Sequence, residues 1–365
     1  MKITGLELDA VHVNHRGDWI FVHILTDDGL RGVGEMRAAK GYEDRLRDVR
    51  TLVDHLKGRN PFEIDQIVSE YGDPDANRNQ VAALSAVEPA LWDLKGKALG
   101  VPVHELMGGR CRDEIRLYAN INRATTDRSP EGFAKNAAAA VADGFDAVKL
   151  APFDGMPRGV DSAQEAGKGI ACMRSVREAI GPDTDLLIDC HSHFSVKGAL
   201  EVADALREFN LFWYEQPTPE ANIENAVAVK QQCRLTVAGG EQRAFRQGWI
   251  DVFENKSMDV IMPDVTVVGG LGELKKVSEM ADAWGIPTAP HGPFGPIAIA
   301  CHVEAMAAHP GFLILEFAWG ETDWRHTLIS PQEEVVNGRI QVNDRPGLGF
   351  ELNPEAIDAH RVALD

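Results

Sequence analysis

Three short apolar runs in the middle of the chain each end in an acidic residue: LLID on Asp189, LFWYE on Glu215 and LTVAGGE on Glu241. Roughly 25 residues separate each acid from the next, about what one strand, one helix and two short loops use in a barrel of eight such units. The acids therefore fall at one repeated structural position. In a parallel barrel the C-terminal ends of neighbouring strands share one mouth, so three carboxylates there converge. At about 4 Å and an effective dielectric of 20, their mutual repulsion is of order 10 kcal/mol. A hard divalent cation offsets it, and an all-oxygen set of Asp and Glu suits Mg²⁺, which keeps open positions for substrate oxygens. The competing reading is three unrelated surface acids capping helix starts, which gives no reason for a constant period.

From Ile115 onward eight apolar runs are separated by helical stretches: IRLYAN, DAVKLAP, LLIDC, LFWYE, LTVAGG, DVIMPD, IPTAPH and FLILEF. Eight is the barrel number. The intervening helices are amphipathic and Ala-rich, as in FAKNAAAAVADG and ALEVADALREF. Upstream, ITGLELDAVHV, WIFVHILTDDG and RGVGEM alternate as strands do, and Asp28-Gly29 marks a turn, predicting a three-stranded meander. Val81, Leu84, Val87, Leu91 and Leu94 recur at three- and four-residue steps, predicting a helix from Val81 to Ala98 that Gly100, Val101 and Pro102 stop. Sheet followed by helices, without alternation, predicts a small α+β domain. After Phe317 no ordinary eighth helix is evident; NGRIQVNDRPGLGFELN reads as a hairpin and turn, in a tail expected to pack back on the N-terminal domain. The chain thus divides into residues 1–112, an α+β domain, 113–327, the barrel, and 328–365, the returning tail. The long polar loop FDGMPRGVDSAQEAGKG after the second run would lie at the catalytic face and help close the site.

Composition narrows the partners. With 365 residues, 44% of them hydrophobic, the chain can bury a large core. A formal charge of −19 argues against nucleic acid or an anionic membrane as the main partner. No apolar run approaches the roughly 20 residues of a membrane span, and MKITGLELDA lacks the form of a signal peptide, so a cytoplasmic location is expected. The five cysteines are an odd number with no CxxC pair, which fits reduced thiols.

The period of the acids continues to Asp264 after DVIMP, His291 after IPTAP and Glu316 after FLIL. A barrel built only for stability needs no such ladder at one end. Asp264 and His291, on adjacent strands, would hydrogen-bond, holding the imidazole and raising its basicity. In Asp189-Cys190-His191-Ser192-His193, strand alternation points Asp189 and His191 the same way, so His191 would reach what the metal holds. His193 reads as structural or as a pocket wall. A zinc reading of the HSH triplet lacks a third histidine, and the Asp/Glu cluster favours magnesium. Lys149, near the end of the second run, either offsets negative charge developing on a substrate or is a solvated lysine. Gly269, Gly270 and Gly272 would suit a phosphate at a helix start, but barrels bind phosphate after strands seven and eight, so they read as turn residues.

Taken together, TDDGLRGVGE, ALWDLKGKALGVPVHELMGG, the Asp189, Glu215 and Glu241 ladder, MPDVTVVGGLGE and RPGLGFEL resemble the enolase superfamily, in its mandelate racemase-like branch, over nearly the whole chain. The resemblance implies a modified TIM barrel, (β/α)7β, with an α+β capping domain formed by the N-terminal segment and the C-terminal tail. It implies one Mg²⁺ on Asp189, Glu215 and Glu241, and removal of a proton α to a carboxylate to give an enolate that the metal stabilises. Racemases and lactonising enzymes of the family carry Lys-x-Lys at the second strand, whereas Lys149 is followed by Leu150 and Ala151. The DxH of Asp189 and His191 resembles galactonate and mannonate dehydratases, and the Asp264–His291 dyad is shared with galactonate dehydratase and the racemases. The expectation is an acid-sugar dehydratase, a hydro-lyase of galactonate dehydratase type. His291 would take the α proton, held by Asp264; His191 would protonate the departing 3-hydroxyl, giving a 2-keto-3-deoxy sugar acid. Glu316 would hydrogen-bond the substrate carboxylate and Lys149 would add positive charge nearby.

Two readings compete. One is an epimerase or lactone cycloisomerase using the same enolate without expelling water; the other is a non-catalytic sugar-acid-binding protein. Substrate identity is carried by the cap: the loop His15, Arg16, Gly17, Asp18, Trp19 and the segment Met36, Arg37 are expected at the distal end of the sugar. Arg16 or Arg37 paired with a second carboxylate would select an aldaric acid, whereas solvated arginines would leave an aldonic one. The resemblance also implies a homo-oligomer.

Overall fold

The computed structural model describes residues 1–15, 17–36 and 42–364. Strands β1 (Ile3–Asn14), β2 (Gly17–Thr26) and β3 (Arg31–Met36) form an antiparallel meander. The β2–β3 turn is tight because Gly29 takes a left-handed conformation at φ +86°. Helices α1 (Glu43–Leu56), α2 (Ile64–Tyr71) and α3 (Arg78–Leu99) cover one face of it. Helix α3 starts where the Asn77 side chain accepts the backbone N–H groups of Asn79 and Gln80, with Gln80 reaching back to the Asn77 N–H. It ends at Gly100, which is left-handed. Ile20, Val22, Ile24, Leu46, Val49, Val53, Leu84, Val87, Leu91 and Leu94 pack between sheet and helices as the core of this cap.

After a single turn, α4 (Val103–Leu106), the barrel begins. Its strands are β4 (Glu114–Asn120), β5 (Ala147–Leu150), β6 (Asp185–Asp189), β7 (Leu211–Glu215), β8 (Val237–Gly239), β9 (Val260–Ile261) and β10 (Leu315–Ala318). Between them run α5 (Pro130–Ala142), α6 (Gly167–Ile180), α7 (Val196–Leu206), α8 (Ile223–Gln232), α9 (Ile250–Asn255), α10 (Leu271–Ala283) and α11 (Pro296–Ala307). The strands pair in parallel from β4 to β9, and β10 returns to β4. The seventh run, IPTAPH, contributes a single residue: Thr288 bridges Ile261 on one side and Phe312 on the other, in the segment leading to β10. Pro287 and Pro290 flank it and have no N–H to donate, so the ladder there cannot lengthen.

Inside the ring Tyr118, Ala147, Leu187, Trp213, Ala238, Val260, Met262, Ala289 and Ile314 form an apolar cluster of their own. Two residues further along the same strands, one pleat nearer the C-terminal end, stand Asn120, Lys149, Asp189, Glu215, Asp264, His291 and Glu316. The barrel thus has a greasy floor and a polar upper layer. Glu241 departs from the two-residue step because Gly240 turns the backbone at φ +103°, at a point where a Cβ would strike the Trp249 ring.

The tail differs from the expected hairpin. Val336 and Arg339 do bridge across a tight Asn337-Gly338 turn, both of whose residues have positive φ. Beyond it, however, β12 (Arg339–Gln341) pairs antiparallel with β4, and β13 (Glu351–Leu352) pairs with β11 (Ile329–Ser330). Helix α12 (Pro354–His360) then reaches the cap, where the Val362 N–H donates to the Ala10 carbonyl of β1 and Arg361 pairs with Asp9.

Cap and barrel meet through buried acids. Glu35 of β3 accepts the N–H groups of Gly295 and Ala298 at the start of α11, at 2.6 and 3.0 Å. Glu88 of α3 accepts those of Leu271 and Gly272 at the start of α10, at 2.7 and 2.9 Å, and Ser85 accepts that of Gly269. Gly269, Leu271 and Gly272 of VVGGLGE thus present their N–H groups to the cap rather than to a phosphate. From the barrel side Glu304 accepts both the N–H and the ring Nδ1–H of His104 in α4. Each of these carboxylates meets orphan donors at a helix start, which offsets part of the cost of its burial. Among the described residues no helix is long and apolar enough to cross a membrane.

Candidate active site

Strand pairing sets the first two acids side by side: Asp189 is opposite Glu215 because a register shift after Leu186 absorbs one residue of β7. With Glu241 they offer carboxylate oxygens that all lie within 4.8 Å of one another. Lys149 is fully buried, and its Nζ lies 3.0 Å from both Glu215 oxygens and 2.9 Å from Glu316 Oε1. The Tyr118 ring lies beneath this ammonium, 5.1 Å from its centroid, and the Trp213 indole N–H donates to Glu215 at 3.0 Å. Lys149 is therefore an internal counter-ion rather than a solvated lysine. Glu316 is fixed further by the Asn120 amide at 2.6 Å and the Gly292 N–H at 3.0 Å.

Two imidazoles flank the acids. His291 Nδ1 lies 2.9 Å from Asp264 Oδ2, while its Nε2 faces Glu241 at 2.9 Å and Glu316 at 3.7 Å. Asp264 is held in turn by the N–H and Oγ1 of Thr266, both at 2.8 Å. His191 Nε2 lies 2.8 Å from Asp189 Oδ2, and its Nδ1 is 2.6 Å from Asp154 Oδ1. Strand alternation is not what aims His191. Strand β6 stops at Asp189, and His191 and Ser192 form a left-handed turn at φ +43° and +59°, closed by the His191 N–H donating to Asp189 Oδ1 at 2.9 Å. His193 turns away, its Nδ1 facing the Pro157 carbonyl at 3.1 Å, and so ties down the loop after β5.

The electrostatics follow from this crowding. Burial disfavours the charged form of His291, but the carboxylates of Glu241 and Glu316 override it and carry the imidazole up to about 10. The neighbouring Asp189 charge dominates at His191 and lifts it to about 11. Burial, then Asp189, pushes Glu215 up to about 8 in spite of Lys149. Burial would raise Glu316 as well, yet Lys149 and His291 bring it down to about 2. The site thus favours protons on His291, His191 and Glu215, as a cluster does when its negative charges outnumber its cations. Hard oxygens at this spacing, with that excess charge, fit a divalent cation.

The cap residues expected at the substrate divide differently. Arg16 and Arg37 lie outside the described residues. Trp19 is only 4% exposed, edge-on to Trp324 at 5.8 Å and under the Arg325 guanidinium at 5.2 Å. It borders a small cavity of about 30 Å³ shared with Met36, Arg123, Phe294 and Glu321. Two further groups escaped the sequence reading. Asn120 ends β4 on the same pleat as the acids, so the signal was present in IRLYAN, whereas Asp154 sits in an irregular loop that no periodicity marks.

Comparison with known proteins agrees with this architecture. Residues 7–108 match the mandelate racemase / muconate lactonizing enzyme N-terminal domain, and residues 132–356 the enolase C-terminal domain-like family. The chain is 30% identical to a D-xylonate dehydratase of Haloferax volcanii, over 99% of this chain and 89% of that protein. It is 33% identical to a D-galactonate dehydratase of Ralstonia nicotianae, over 100% and 96%, and 29% identical to a D-galactarolactone cycloisomerase of Agrobacterium fabrum, over 98% and 95%. A crystal structure described as a putative dehydratase from Zymomonas mobilis ZM4 superposes with a TM-score of 0.91 at 28% identity, covering 99% of this chain and 98% of that one. Cap and barrel both match over most of their length, and the chain belongs to the mandelate racemase/muconate lactonizing enzyme family of the enolase superfamily.

Proposed function

We propose that the protein is an acid-sugar dehydratase that removes the proton α to a carboxylate and expels the neighbouring hydroxyl as water, leaving a 2-keto-3-deoxy sugar acid. The observation that carries this reading is the pair of imidazoles, His291 and His191, each presenting Nε2 to the same cluster of acids. One can serve as base and the other as acid on a single bound molecule. Asp189, Glu215 and Glu241 would hold Mg²⁺, which when bound supplies positive charge against the substrate carboxylate and the enolate.

Asp264 fixes the His291 ring so that Nε2, not Nδ1, meets the α proton. Once a bound cation offsets the Glu241 charge that holds a proton on His291, the neutral imidazole would take the α proton and become a cation beside the developing negative charge. His191 gives its Nε2 proton to the departing 3-hydroxyl. Glu316, anchored by Lys149, Asn120 and Gly292, would orient the substrate carboxylate through a proton shared between the two acids, which a neutral His291 and the incoming negative charge favour. The small-molecule partner is accordingly a mono- or diacid sugar, and the dehydratases among the relatives support that class.

The test is a panel of aldonic and aldaric acids assayed for keto-deoxy product with semicarbazide, alongside α-proton exchange in deuterium oxide. At least one sugar is expected to give product. His291→Asn should abolish exchange and product together, and His191→Asn should keep exchange while losing product. Exchange with no keto-deoxy product from any member of the panel would instead indicate an epimerase or cycloisomerase.

A further inference from the structure

Asp154 and Arg128 form a second support for the chemistry, on the side of the mouth opposite Asp264. Asp154 lies in the loop after β5, and its two carboxylate oxygens are used differently: Oδ1 meets His191 Nδ1 at 2.6 Å, and Oδ2 accepts from Arg128 Nη2 at 3.2 Å. Arg128 comes from the loop after β4. It donates to the carbonyls of Ala151 and Asn122 and lies over the Phe133 ring, 4.9 Å from its centroid.

The loop carrying Asp154 is tied to the turn carrying His191. The Val160 N–H donates to the His193 carbonyl and the Ser195 N–H to the Val160 carbonyl, each at 3.0 to 3.1 Å; Arg158 donates to the His191 carbonyl. His193 adds its own contact with Pro157. The Asp154–His191 contact therefore joins two segments that are already registered against each other.

We propose that Asp154, itself held by Arg128, is the positioning residue of His191, as Asp264 is of His291. This rests on the dehydratase reading above. The His191 side chain is 34% exposed and stands on a left-handed turn, so without a partner at Nδ1 nothing on that side selects one ring orientation. With Nδ1–H committed to Asp154, the Nε2 proton is the one that faces the mouth. In the elimination, His291 removes the α proton and the C–H electron pair forms the new C=C bond. The C–O bond to the 3-hydroxyl breaks, its electrons leave with the oxygen, and the Nε2 proton of His191 completes the water. Asp154 touches neither substrate nor the transferred proton.

Exchange of the α proton requires His291 but not His191, so it separates a positioning role from general damage to the loop. Asp154→Ala is expected to keep deuterium exchange within about threefold while lowering keto-deoxy product formation on the order of 100-fold, the range an oriented acid supplies. Asp154→Asn, which keeps an acceptor oxygen, should recover at least about tenfold of that loss. A readout independent of turnover is the nitrogen-15 spectrum of the histidines, in which the His191 Nδ1–H resonance should lose its hydrogen-bonded downfield shift in Asp154→Ala. Exchange and product falling together, neither changing, or Asp154→Asn behaving like Asp154→Ala would each overturn the proposal. Failure of the dehydratase reading itself is distinguishable, because it appears as α-proton exchange with no keto-deoxy product in the unsubstituted protein.

Discussion

The molecule buries acids at the barrel mouth and at the seam between cap and barrel, and these two sets are chemically the same but satisfied by different partners. At the seam, Glu35, Glu88 and Glu304 each face N–H groups at the start of a helix. At the mouth, Asp189, Glu215 and Glu241 face one another. Burial alone therefore says little about what a carboxylate does. What separates structure from function is whether the protein's own backbone satisfies the charge or leaves it for something else.

The strongest way to break this contrast is Glu241→Gln. A mouth acid should cost turnover and not stability: several kcal/mol of transition-state stabilisation corresponds to a loss of at least about 10³-fold. The melting temperature should stay level or rise as like-charge repulsion is relieved; a large fall in melting temperature with turnover retained would erase the distinction. Glu88→Ala should do the reverse. It strands the N–H groups of Leu271 and Gly272 and the indole N–H of Trp92, a loss on the order of 3 kcal/mol in urea unfolding, with turnover per folded molecule within a few-fold.

The smallest effect sharpens the comparison by pH. Burial pushes Glu88 up to about 7 in spite of its three donors, so between the ordinary carboxylate range and pH 7 the folded state binds more protons than the unfolded one. Its contribution to stability is present in acid and is lost as pH rises through 7, at roughly 1.4 kcal/mol per pH unit at most. Urea midpoints at pH 5 and pH 8 should differ less in Glu88→Gln than in the parent protein. An unchanged difference would mean that Glu88 is ionised across the whole range.

How much of this was legible in the sequence depended on regularity. Strand ends on a constant period exposed Asp189, Glu215, Glu241, Asp264, His291 and Glu316 as one layer, because a barrel converts sequence spacing into spatial convergence. The same rule would have included Asn120, which a polar but uncharged side chain made easy to pass over. Asp154 carries no such mark: its relation to His191 arises from a left-handed turn and an irregular loop meeting in space. The TDDGLRGVGE and VVGGLGE motifs were readable as family resemblance, yet their physical role, an acid from the cap closing a barrel helix start, emerges only when both ends of the contact are seen. IPTAPH, strand-like in sequence, keeps only Thr288 in the ladder, since its prolines prevent more.

The indole of Trp213 belongs to the barrel's apolar floor while its N–H grips Glu215 in the layer above. That places an intrinsic fluorophore one bond away from the cluster's charge balance. Titrating Mg²⁺ into the protein should therefore be visible as a change in tryptophan emission, an optical gauge of occupancy that needs neither substrate nor label.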